Sequence, residues 1–254
     1  MIMFDLIFPF IFFMCWGSFL NVLAYRITFD KSFFTKRSAC PACEKIIYWY
    51  DNIPLLSWVL LRGKCRFCHA PISWLYPFIE LMSGIILTAL FFMYGLTPSF
   101  FGYFIFFSAL LVATRTDFEA MVIPQFFSLW LVPVGFLFSY LDLIEIFPLE
   151  SLLGAAFGYG LLWLVAKVFK YATKKEGLGE GDMELLAMIG SFLGPIGVWF
   201  SLMIGSSVGL LLGGGYLLIA KKDRYTRIPF GPFLALGAII YLFLNPVLFM
   251  FNIS

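Results

Sequence analysis

The stretch Leu185–Ala220, LLAMIGSFLGPIGVWFSLMIGSSVGLLLGGGYLLIA, runs for 36 residues without a charged side chain. One bilayer crossing takes about 20 mostly apolar residues. At about 1.5 Å of rise per residue the stretch is too long for one crossing and just enough for two. The turn is expected at Gly194-Pro195 or a neighbouring glycine. Only ten residues separate Glu184 from Pro195. Either the turn therefore lies further along, or Asp182 dips toward the membrane. Working outward, further apolar runs of spanning length lie near 6–27, 76–95, 98–114, 121–141, 151–170 and 228–250. The total is about eight spans. The chain is 62% hydrophobic and 13% charged, against about 25% charged in a soluble domain. The expected fold class is an all-α polytopic membrane protein. The first run opens MIMFD, without a basic segment, and exceeds a signal-peptide core of roughly 7–15 residues. It is read as a retained span.

Basic residues set the orientation. Eight lie between Arg26 and Arg66. Arg115 follows span three. Lys167, Lys170, Lys174 and Lys175 follow span five, and Lys221, Lys222, Arg224 and Arg227 follow span seven. Eight spans put all 17 on one side, expected to be cytoplasmic. The other side carries Asp5, Asp142, Glu145 and Glu150, so both termini are expected outside. The basic residues follow orientation, which leaves no case for nucleic acid. The 33 Phe, 12 Tyr and 7 Trp are read as lipid-facing and interfacial anchors.

Three parts are expected: a first transmembrane helix (1–27), a cytoplasmic insert (28–75) and a transmembrane region of about seven helices (76–254). The insert carries CPAC at Cys40 and Cys43 and CRFC at Cys65 and Cys68. Two Cys-x-x-Cys pairs at this separation fit one tetrahedral zinc ion. Two disulfides or a redox pair are the alternatives, disfavoured in a reducing cytoplasm. Lys45, Lys64 and Arg66 would favour thiolates, and a metal staple suits a segment too short to bury much core. Cys15 is read as packing and His69 as a surface residue.

Asp117, in ATRTDFEAMVIP, and Asp182, in GLGEGD, both fall near span ends on the same expected side. Two carboxyl groups held close cannot both ionise readily, so one keeps a proton while the other activates water. Taken singly, each aspartate is a helix cap: Thr116-x-x-Glu119 fits a capping box. Gly179 and Gly181 would let backbone approach an extended peptide. Glu80, just inside span two, is either functional or paired with a basic loop residue such as Arg26. Glu119, Glu176, Glu180 and Glu184 are either attractors for a basic peptide or ordinary solvated charges.

GSFLNVLAYR at Gly17–Arg26, NIPLLSW at Asn52–Trp58, RGKCRFC at Arg62–Cys68, YPFIEL at Tyr76–Leu81, Asp117 with Pro124, Gly179-Glu180-Gly181-Asp182 and IPFGPFLALGA at Ile228–Ala238 together resemble the type IV prepilin peptidases. The resemblance covers nearly the whole length. It departs at Gln125, where members often carry Asp or Asn, and at Glu184, where many carry Lys. The resemblance implies a multi-pass enzyme of the bacterial inner membrane. Such an enzyme removes the basic leader of prepilins or pseudopilins after a glycine at the cytoplasmic face. The cysteine-bearing loop implies methylation of the new N-terminal amine with S-adenosylmethionine. It makes Asp117 and Asp182 the catalytic pair. Gly63 and Lys64, beside the second cysteine pair, are read as contacts for the methyl donor's carboxylate. The competing classes are a proton-coupled transporter using paired carboxylates, which would show internal repeats, and a zinc-stapled scaffold without chemistry.

Overall fold

A computed structural model describes residues 2–31, 38–175, 177–220 and 228–251. These residues are helical apart from turns and two isolated bridges, Ala39 with Ile46 and Lys64 with Pro71. The chain divides into two compact units, Met1–Leu96 and Thr97–Ser254.

In the first unit α1 (Ile2–Thr28) packs along α3 (Leu75–Tyr94), with the short α2 (Leu56–Leu60) in the insert between them. Gly17 permits the contact. A Cβ there would lie 2.7 Å from Ser83 Cβ and 2.9 Å from Glu80 Cα. Small residues let membrane helices approach closely, and polar side chains then bond across the gap. Here Ser83 Oγ donates to the Phe13 carbonyl at 2.8 Å, and Asn21 Nδ2 to the Tyr76 carbonyl at 3.0 Å.

The second unit contains α4 (Pro98–Ala120), two tight turns (Gln125–Phe127 and Leu129–Leu131), α5 (Val132–Tyr140), α6 (Pro148–Thr173), α7 (Glu180–Ile219) and α8 (Gly231–Phe251). The backbone of α7 breaks at Gly194, with φ 71° and ψ −178°, just before Pro195. Neighbours on either side show that the chain reverses there. Before the break, Asp182 and Phe192 of α7 face Asp117 and Phe106 of α4, an antiparallel pairing. The helix α8 is also antiparallel to α4, through Asp117 with Gly231 and Phe107 with Phe243. After the break, Ser201 and Gly205 pack on Gly237 and Phe233, antiparallel to α8. The first arm is thus parallel to α8 and the second antiparallel to it. The charge-free stretch forms two membrane rods, as its length requires.

Among the described residues, five helices are long and apolar enough to span a membrane, α7 being counted once, and Gln125–Tyr140 and Gly231–Leu244 are shorter apolar helical stretches. Separating the two arms of α7 gives the expected count of about eight. The first arm, the 14 residues from Glu180 to Leu193, rises about 20 Å, less than a hydrocarbon core of about 30 Å. Of the two alternatives, the turn falls at Gly194 and the arm is short.

Three local expectations are corrected. The third span continues through Ala120, so Arg115 is not a loop charge. It is fully buried and ion-paired with Glu119 one turn further on. Thr116 is no cap either. It lies inside α4 and its hydroxyl donates to the Ala113 carbonyl at 3.1 Å. The 121–141 run is not one helix. Met121 closes α4 with a left-handed φ of 53°, and Pro124, lacking an N–H, interrupts helical bonding. Lys36, Arg37, Lys221, Lys222, Arg224 and Arg227 lie outside the described residues.

Candidate active site and metal centre

Asp117 occupies the last turn of α4 and is 5% exposed. Its Oδ2 accepts the backbone N–H of Gly231 at 2.9 Å. Gly231 opens α8, where backbone N–H groups lack helical partners and favour an anion. A Cβ on Gly231 would stand 2.9 Å from that Oδ2 and 3.1 Å from Ile123 Cδ1. Glycine is what lets the backbone donor reach the carboxylate.

Asp182 lies in the first turn of α7, half-buried, and accepts a hydrogen bond from the Gly179 backbone. Ile123, also buried, sits against Gly181 on this side and near Gly231 on the other. A Cβ on Gly181 would lie 3.0 Å from Ile123 Cβ. The two carboxyl groups are close enough to interact electrostatically. The fold therefore brings Asp117, Asp182, Gly179 and Gly181 into one place. Gly231 and Ile123 belong to this site and were missed in the sequence. Gly231 stood in a quoted motif, but nothing in its neighbours marks it as a donor to a residue 114 positions away.

The acidic surroundings differ from expectation. Glu119 is committed to Arg115. Glu184 is 7% exposed and turned inward, accepting from Gln125 Nε2 at 2.9 Å and Ser128 Oγ at 3.2 Å. Glu180 is exposed. Glu176 lies outside the described residues.

In the insert, the sulfurs of Cys40, Cys43, Cys65 and Cys68 all lie within 4.8 Å of one another. Cys40 Sγ and Cys68 Sγ are 3.8 Å apart, and all four are free thiols. A tetrahedron with Zn–S of about 2.3 Å has S···S edges of about 3.8 Å. The donor set and its spacing fit zinc. The backbone N–H of Cys68, then that of Phe67, pulls the Cys65 thiol down to about 7. The Ala70 N–H favours the Cys68 thiolate, but partial desolvation and hydrogen bonds with Cys43, Cys65 and Cys40 outweigh it and push that thiol up to about 11. Sulfurs crowded this way cannot all ionise without a cation among them. The flanking cations act elsewhere: Arg66 binds Asp51, and Lys45 lies over the Phe67 ring.

Gly63 adopts φ 65°, its N–H bonds the Trp58 carbonyl at 2.8 Å, and its own carbonyl accepts from Ile72 at 2.7 Å. A Cβ would press within 3.0 Å of the Trp58 indole. These contacts give Gly63 a turn-forming role, whereas Lys64 is exposed and able to meet an anion. Glu80 is buried and accepts the Leu55 N–H at 2.9 Å and a hydrogen bond from Ser18. Leu55 holds a strained positive φ of 60°, so Glu80 ties the insert to α3. Cys15 is exposed on α1 rather than packed, and His69 is exposed as expected.

Comparison with known proteins matches residues 11–94 to the bacterial peptidase A24 N-terminal domain and residues 104–214 to the type IV leader peptidase family. The chain is 38% identical over 203 residues to the prepilin leader peptidase/N-methyltransferase of Xanthomonas campestris pv. campestris, covering 80% of this chain and 70% of that protein. It is 34% identical over 259 residues to the protein of the same description in Aeromonas hydrophila, covering 92% and 88%. The Neisseria gonorrhoeae counterpart is 33% identical over 251 residues, covering 89% and 86%. No solved structure matches the chain.

Proposed function

The chain belongs to the type IV leader peptidase family, and from that premise we propose that it cleaves the basic leader of prepilins or pseudopilins with Asp117 and Asp182 and methylates the N-terminus so formed. The observation that carries the peptidase reading is the convergence of two aspartates, from helices distant in sequence, around Ile123 and Gly231. One carboxylate takes a proton from water, which attacks the scissile carbonyl. The other carboxyl donates its proton to the carbonyl oxygen or the leaving amine. The Gly231 N–H fixes the Asp117 carboxylate, so little reorientation remains at the moment of attack. Gly179 keeps the approach beside Asp182 free of a side chain for an extended peptide, while Gly181 makes room for Ile123. No observation favours a transporter: both aspartates stand in terminal helical turns.

The insert is assigned to methyl transfer. Cys40, Cys43, Cys65 and Cys68 would hold a structural zinc that fixes both knuckles. S-adenosylmethionine would supply the methyl group, with exposed Lys64 the contact for its carboxylate. We place the insert and the aspartates on the cytoplasmic side and both termini outside, from the distribution of basic residues other than Arg115. The test is purified protein incubated with a prepilin, with and without S-adenosylmethionine. Product mass should report leader loss in both reactions and one added methyl only with the donor. An unprocessed prepilin in both would defeat the reading.

A further inference from the structure

Glu184 stands two residues beyond Asp182, buried at 7% exposure, and no salt bridge holds it among the described residues. A well-packed apolar side chain would fill such a place at lower cost than a carboxylate. What the carboxylate adds is direction. Its two oxygens accept from two donors on one short segment, Gln125 Nε2 and Ser128 Oγ. That segment leaves Asp117 through the Met121 N–H, which bonds the Asp117 carbonyl at 2.9 Å, and then passes Ile123 between Gly181 and Gly231. The contacts therefore close a circuit from Asp117 through Ile123, Gln125 and Ser128 to Glu184 and back to Asp182.

Only the Glu184 step in this circuit both reaches α7 and has direction. The Ile123 contact with Gly181 is apolar and would let the two segments slide. Hydrogen bonds to a carboxyl oxygen are angularly selective. We propose that Gln125, Ser128 and Glu184 form a latch that aligns Asp182 with Asp117 for leader cleavage, with Glu184 the positioning residue. The proposal rests on the peptidase reading and goes beyond it. It also joins two features that look unrelated in sequence. Both departures from the family pattern, Gln125 and Glu184, are partners here across 59 positions. The donor is on the segment and the acceptor on the helix, the reverse of an acidic residue facing a lysine.

That polarity supplies the test. Leader cleavage would be measured in detergent for the parent, Glu184→Gln, Ser128→Ala, Gln125→Asp, Glu184→Lys and the Gln125→Asp/Glu184→Lys pair. Asp182→Asn is the reference for loss of chemistry. Thermal unfolding and methylation of a pre-cleaved pilin would be followed in parallel. Misalignment by a fraction of an ångström predicts that Glu184→Gln lowers kcat about tenfold with KM within about twofold. Gln125→Asp, which sets two carboxylates together, should fall further, and the exchanged pair should recover to within about fivefold of the parent. Parental kcat in both Glu184→Gln and Ser128→Ala overturns the latch. So does a rise in KM alone, or a loss matched by lowered unfolding temperature and lost methylation. If Gln125→Asp fails to accumulate, the first two variants decide. Full activity in Asp182→Asn would instead overturn the peptidase reading itself.

Discussion

Replacing Gly231 with alanine tests the site through one added methyl group. The new Cβ would lie 2.9 Å from Asp117 Oδ2 and 3.1 Å from Ile123 Cδ1. Ordinary contacts of this kind begin near 3.4 Å, so the carboxylate must retreat by roughly half an ångström, and α8 or Ile123 must give as well. The 2.9 Å hydrogen bond from the Gly231 N–H lengthens or bends as a result. A hydrogen bond to a charged group contributes about 1.5–3 kcal/mol. Loss of about half of that is about 0.8–1.5 kcal/mol, or roughly four- to thirteenfold in rate. We expect kcat for leader cleavage to fall about tenfold, and up to about a hundredfold if the carboxylate leaves attack geometry. Gly215→Ala is the matched control, because a Cβ there meets nothing within 4 Å. It should stay within about twofold of the parent. The assay is steady-state cleavage of a prepilin in detergent, with unfolding temperature recorded for each variant. Parental kcat in a folded Gly231→Ala protein would refute the reasoning, as would equal losses in both variants.

Cys40→Ser should lower bound zinc, measured by elemental analysis, well below one ion per chain and make the insert more sensitive to protease, because three sulfurs leave the tetrahedron open. Glu80→Gln should accelerate amide exchange at Leu55 and reduce methylation more than cleavage, since the strained turn loses its anionic acceptor. Gly154→Ala should lower the unfolding temperature, because its Cβ would meet the Gly190 carbonyl oxygen at 2.2 Å. The cost expected for such overpacking is about 1–3 kcal/mol.

The parts of this fold legible in the sequence are those fixed by local composition. Charge-free length dictated two crossings in Leu185–Ala220, and a glycine before a proline marked the reversal between them. Cysteine spacing alone placed four sulfurs around one point. The failures share a different cause. Apolar patterning stops at Thr114, yet α4 continues through Arg115 and Asp117 because Glu119, one turn on, neutralises the buried guanidinium. A hydropathy reading treats that arginine as solvated and ends the helix too early. The partners of Asp117 and Glu184 are 114 and 59 residues away. No periodicity encodes such distances, so Gly231 as donor and the Gln125–Ser128 pair as holder emerge only once the helices are packed. Of the two readings of Glu80, functional or paired with a basic residue, the ion pair is not what holds it: its partners are a backbone N–H and Ser18.

The most direct measurement of whether one water is worked on by two aspartates is the product mass from prepilin given separately to Asp117→Asn and Asp182→Asn proteins that are folded and retain zinc. The account predicts intact prepilin in both cases, with each variant still adding a methyl group to a pilin supplied without its leader. Leader removal at a near-parental rate by either variant would contradict it.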